Sequence, residues 1–467
     1  MQIIKMIRGR VFDFSLSLSS SRRSSLLPPK WTSTIMNQKF AQKAPIRTFS
    51  SVSEGPKPLL GFSTNSLGFE RSFVRPVLAS IRQLPEVENA LNQFPLSIST
   101  LDNLKRASDV FASFDKGGRE HLAVQALLAE CQQRMALYEE AITTIEELRN
   151  SSITSENTYA PTNFEEETIL ALAKVRWTMG DFHESQVLCE KIVSTYNDLE
   201  ETFPSTNLHI ASAMTGKALS QLGAMKSMDD AYSVRDFFRV AIKFLERHPP
   251  SENTLPYAAA LSNGGLAEAI YNIYLEKNND VSVPINPALR LLFQGLQKTA
   301  VRESSSNIQI LAASRVLEAS IQANLAWGVL NYEKDRSDHL SKASDYAKKA
   351  LGFYDSESII GKEGLSWVLS VVASCYHQAD SVVTAEGIFK SAINKKNMPP
   401  GILTMLQLRE AYNGYSNLCI QWENREKDAR NLKKDAEAIE KDLPLNWQGK
   451  SGIHGSLWFW TPGEYLY

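Results

Sequence analysis

The sequence holds four cysteines and brings none of them near another: the closest two, Cys375 and Cys419, are 44 residues apart. Without a CxxC pair, neither a zinc knuckle nor a thioredoxin-type couple can form locally. Cys131, Cys189, Cys375 and Cys419 each lie in an apolar helical pattern, so buried free thiols in a reducing compartment are expected. Long hydrophobic runs are missing too. No stretch approaches the roughly 18–20 apolar residues that span a bilayer, so no transmembrane segment is expected. Histidine is scarce, and none of the seven is paired with another at i+3 or i+4, which excludes a two-histidine metal site on one helix face. No serine stands in a Gly-x-Ser-x-Gly turn.

Phosphate loops fail on the same inspection. Thr215-Gly216-Lys217-Ala218 ends in alanine where the hydroxyl belongs, and Ala211 replaces the leading glycine. Gly449-Lys450-Ser451 has the ending, but Pro444 stands in the first glycine's place. Backbone N–H groups cannot wrap a phosphate without both glycines. No catalytic residue, cofactor or metal ligand emerges, and the chain is read as a non-enzyme. An enzyme that assembles its site from distant residues, without a motif, stays open as an alternative.

Charge is divided sharply along the chain. Residues 1–53 carry nine Lys/Arg and one acid, Asp13, while the remainder carries 41 basic and 51 acidic residues. A body at −10 speaks against nucleic acid as a partner, because phosphate must be neutralised by Lys and Arg. An RNA-binding helical repeat is the alternative it disfavours. The basic, Ser-rich leader, nearly free of acid, reads as an organelle transit peptide over residues 1–49. Arg47-Thr48-Phe49 followed by Ser50-Ser51 is similar to sites cut in the mitochondrial matrix, so a matrix location is expected. A plastid leader and an untargeted basic tail are the alternatives. Residues 50–84, with Pro56, Pro58 and Pro76, read as a flexible connector.

From about residue 86, apolar residues recur at helical spacing. Leu369, Val372, Ala373 and Tyr376 share one helix face; Ala379-Asp380-Ser381 makes a turn; Ala385, Phe389 and Ala392 share a face of a second helix, with Glu386 on its solvent side. Large residues at the outer positions and alanine at the crossing let two antiparallel helices approach closely. The same offsets recur at Leu128, Ala129, Ala141, Ile145 and Leu148, and again at Ile169, Leu172, Ala173, Ser185, Cys189 and Ile192, with Gly180-Asp181-Phe182 as the turn. The small second-helix positions 141, 185, 343 and 385 are 44, 158 and 42 residues apart; the long gap fits three to four units, or two units with long loops.

This pattern resembles the tetratricopeptide repeat. Its period near 42 residues resembles the kinesin-light-chain type, and 255–263 (Leu-Pro-Tyr-Ala-Ala-Ala-Leu-Ser-Asn) is similar to the start of that type's first helix. The resemblance covers roughly 119–440. It departs at Gly264-Gly265, which interrupts a helix, and at Gln132 and Arg176, which stand where Tyr376 supplies the signature tyrosine. It implies an all-α fold over residues 85–442, a right-handed superhelical array of antiparallel helix pairs. A concave groove would then bind other proteins or peptides, so an interaction scaffold is expected, such as an assembly factor for a mitochondrial complex. Residues 443–467 form an aromatic tail in which Trp458, Phe459, Trp460 and Tyr465 are candidate partner contacts. The competing reading packs the tail back on the chain's own last repeats.

Overall fold

The computed structural model describes residues 78–81, 83–92, 97–154, 164–197, 204–225, 228–248, 257–258, 260–265, 268, 286–299, 308–332, 338–354, 364–394, 400–422 and 424–449. All of them belong to one unit, residues 61–467. The leader, most of the connector and the four tail aromatics Trp458, Phe459, Trp460 and Tyr465 lie outside the described residues.

The described residues are helical and contain no strand. The helices are α1 (Leu78–Ile81), α2 (Pro85–Asn92), α3 (Ile98–Asp115), α4 (Arg119–Arg134), α5 (Tyr138–Thr154), α6 (Phe164–Thr178), α7 (Phe182–Asn197), α8 (Pro204–Ala224), α9 (Met228–Arg247), α10 (Asn286–Thr299), α11 (Ile308–Tyr332), α12 (His339–Tyr354), α13 (Leu365–Gln378), α14 (Val382–Ala392), α15 (Ile402–Ile420) and α16 (Glu426–Asp442). None is long and apolar enough to cross a membrane.

Chain neighbours pack as pairs, and first helices also touch the next first helix, α6 on α8, α11 on α13 and α13 on α15. The cause is a core shared across unit boundaries. Ala129, Ala141, Ile145, Leu172 and Val175 join α4, α5 and α6, while Ile169, Ala173, Cys189, Ile192 and Ala213 join α6, α7 and α8. A pair buries only one face alone, so its neighbour completes the core. The small crossing positions Ala141, Ser185, Ala343 and Ala385 are all buried. Between the units of Ser185 and Ala343 the described helices make two pairs, α8 with α9 and the helical residues 260–265 with α10, which is the long-loop alternative.

The glycine pair does not interrupt a helix. Gly264 and Gly265 are both helical, and a Cβ on Gly265 would lie 2.8 Å from the Ala288 carbonyl of α10. Gly265 thus marks a close backbone approach, while Gly264 packs against the Ile242 side chain. Gly216, in the fragment rejected as a phosphate loop, sits in the middle of α8, where a Cβ would meet Cys189 Sγ at 2.8 Å. The four cysteines are free and buried, and burial pushes the thiols of Cys131, Cys189 and Cys375 up to about 12.

Candidate functional site

Three turns between paired helices share one geometry. The N–H of Met135, Ala136 and Leu137 bond the carbonyls of Cys131, Gln133 and Gln132. Met179, Gly180 and Asp181 bond Val175, Trp177 and Arg176, and Ala379, Asp380 and Ser381 bond Cys375, His377 and Tyr376, in the same register. The middle residue is left-handed each time, with φ of 62° at Ala136, 87° at Gly180 and 56° at Asp380. Each closes a helix C-terminus by the paired bonds that such a residue allows. Five residues on come Ala141, Ser185 and Ala385, so the turn and the helix crossing repeat as one unit.

The second of these turns is a socket. Beyond α16, Leu443 is extended, and residues 445–449 form a turn that carries Trp447 onto α6 and α7. The Trp447 indole is 0% exposed. It meets Trp177 edge-on at a centroid distance of 5.5 Å and Phe182 edge-on at 4.9 Å. Its Nε1–H donates to the Thr178 carbonyl at 3.0 Å, and Asn446 Nδ2 donates to the Gly180 carbonyl at 2.8 Å. Both acceptors lie at the α6 C-terminus, where carbonyls lack intrahelical partners. Gly180 is required twice over: its φ is left-handed, and a Cβ would stand 3.1 Å from Trp447 Cδ1. Residues 443–449 thus pack on a pair more than 260 residues away, and they also bond back to the end of α16: Gln448 Nε2 donates to the carbonyls of Leu443 and Lys441, and the Gly449 N–H donates to Glu440 Oε1. The last pair also meets an earlier one, where the Ile402 N–H donates to the Tyr138 hydroxyl at 3.1 Å.

Polar residues are buried mainly on the first helices. Gln132 on α4, Glu167 on α6, His209 on α8, Asn324 on α11, Ser370 on α13 and Gln407 on α15 are all less than a tenth exposed. From α5 onward, Thr144, Ser185 and Thr299 are the buried polar residues of second helices among the described residues. Glu130 sits 3.2 Å from Arg134 and 3.9 Å from Lys174, and Glu167 lies 3.6 Å from His209. A buried ion costs several kcal/mol unless it is paired, which is why these charges occur in groups. Gln132, at the position that Tyr376 holds in α13, is likewise buried and does not line an open wall.

A second charge group ties α14 to the last pair. Glu386 Oε1 accepts from Lys390 at 2.9 Å, Tyr415 at 2.8 Å and Arg425 at 3.0 Å. Burial alone would raise its carboxyl, but the three donors outweigh this and hold it at about 2. Glu386 is thus a buried-side link and not a solvated residue. By contrast Glu139, Glu140, Glu146 and Glu147 are exposed.

No group of three or more His, Cys, Asp or Glu side chains capable of holding a metal occurs among the described residues. No protein-family model and no curated protein matches the sequence.

Proposed function

We propose that the protein is a tetratricopeptide-like interaction scaffold of the mitochondrion, a right-handed array of helix pairs that holds other proteins. The observation that carries this reading is the threefold recurrence of one turn, with the same hydrogen bonds, the same left-handed residue and the same small residue five positions on. The step from this geometry to binding is an analogy of fold. The buried polar residues of the first helices add a condition: a peptide that reaches them must displace protein, so docking begins at unit edges and exposed helix faces. The acid-rich body supports a protein partner over RNA.

The experiment is cross-linking of tagged protein in intact mitochondria, followed by mass spectrometry and recovery of linked RNA. One stoichiometric protein partner with cross-links into residues 119–442 is expected. RNA linked to that region, or protein recovered only from another compartment, overturns the reading.

A further inference from the structure

The Trp447 socket joins two different surfaces of one chain, so every copy carries both halves of the contact. Recognition is complete within two consecutive residues. Trp447 supplies the ring between Trp177 and Phe182 and one donor to Thr178, and Asn446 supplies a donor to Gly180. The chain leading to them is built to pivot. The helix ends at Asp442, Leu443 is extended with φ −72° and ψ 148°, and Pro444 cannot continue a helix. The Ile402–Tyr138 bond holds the last pair against an earlier one independently of these residues. Withdrawal of 444–449 leaves this bond untouched, and it must also open the bonds of Gln448 to the Lys441 and Leu443 carbonyls and of Gly449 to Glu440.

We propose that residues 443–449 are a displaceable internal ligand, and that the socket of one copy accepts the same residues of a second copy when the intramolecular contact opens. The interface is heterologous, a turn against a tail, so exchange between two copies satisfies both sockets reciprocally. Within one chain the tether keeps the local concentration of Trp447 at roughly millimolar, which favours the closed monomer until the contact is blocked. The idea does not depend on the scaffold reading: it concerns what fills this socket, and its failure leaves the partners of the helix pairs untouched.

Two full-length variants separate the halves. Trp447→Ala keeps the socket and loses the ring. Gly180→Val keeps the ring and closes the socket, since its Cβ would stand 3.1 Å from Trp447 Cδ1 at a φ of 87°. Each alone is expected to sediment as a monomer, while an equimolar mixture at sub-millimolar concentration gives a one-to-one heterodimer. A mixture that sediments as two monomers overturns the proposal. Should either variant fail to fold, hydrogen exchange on the wild-type chain decides. Amides of 445–449 are then expected to exchange at least roughly tenfold faster than those of α6 and α7, through local opening. If they exchange only with global unfolding, the segment is not displaceable and the proposal falls.

Discussion

The turns at Gly180 and Asp380 are closed by the same three backbone hydrogen bonds, yet they end in opposite surroundings. Gly180 is buried beneath Asn446 and Trp447, whereas Asp380 is exposed. The pairs behind them are also fastened differently. α6 and α7 receive an aromatic ring and two donors from 266–269 residues away, while α14 is tied to α15 and to Arg425, just ahead of α16, through the charges around Glu386. The difference teaches that the repeat fixes the turn and leaves its cover free. One apolar fastening should resist acid and salt; the other, made of charges, should not.

The largest expected effect removes the aromatic fastening. Trp447→Ala should cost about 3–5 kcal/mol, the usual loss for a large buried ring. Trp422→Ala, at a half-buried site in the last pair, should cost clearly less. Urea midpoints for the two variants check this, and equal shifts would mean that the socket contributes no more than a half-buried ring does. A smaller effect contrasts the turns themselves. Gly180→Ala places a Cβ against Trp447 and forces a left-handed residue to carry one, which should cost about 2–3 kcal/mol. Asp380→Gly relieves the same conformation on an open surface and should change stability by less than about 1 kcal/mol, in either direction. Thermal melts that move both variants downward alike would break the comparison.

The smallest effect tests the charged fastening. The folded carboxyl of Glu386 is held at about 2, below its ordinary value of 4.5. Its contribution is therefore fully present above pH 4.5 and is lost as the pH falls toward 2. After allowance for the exposure of Lys390 and Arg425, the loss should be about 1–2 kcal/mol. Stability of wild type minus that of Glu386→Gln, followed from pH 6 to pH 2.5, should shrink toward zero; Trp447→Ala should keep its deficit across that range. A Glu386 difference that is flat with pH would show that the carboxylate does not link α14 to the last pair.

The helix pairs were legible because the constraint behind them is local. A small residue where helices cross and large ones a turn away leave a mark within 30 residues, so the crossing positions Ala141, Ser185, Ala343 and Ala385 follow from spacing. Glu386 was not legible. Lys390 at i+4 suggests a solvated face, but Tyr415 and Arg425 arrive from 29 and 39 residues on, and no periodicity announces them. Gly264-Gly265 is illegible for a related reason: read along the chain, two glycines weaken a helix, while read across it Gly265 admits the backbone of α10. Trp177 gives no local signal, because its partner is 270 positions later. The density of tryptophan after Pro444 did signal that the tail must pack, and chemistry alone does not say on what.

The bond from Trp447 to Thr178 spans 269 residues, and this sets an order of events during synthesis. At about 5–20 residues per second, a ribosome needs roughly a quarter of a minute to a minute to add that much chain. Throughout that interval α6 and α7 lack the Trp447 ring and the two donors that cover their turn. A contact of such long separation is slow to form and closes late. The two halves of this fastening are thus made at well-separated times, and the first-made half waits for the second.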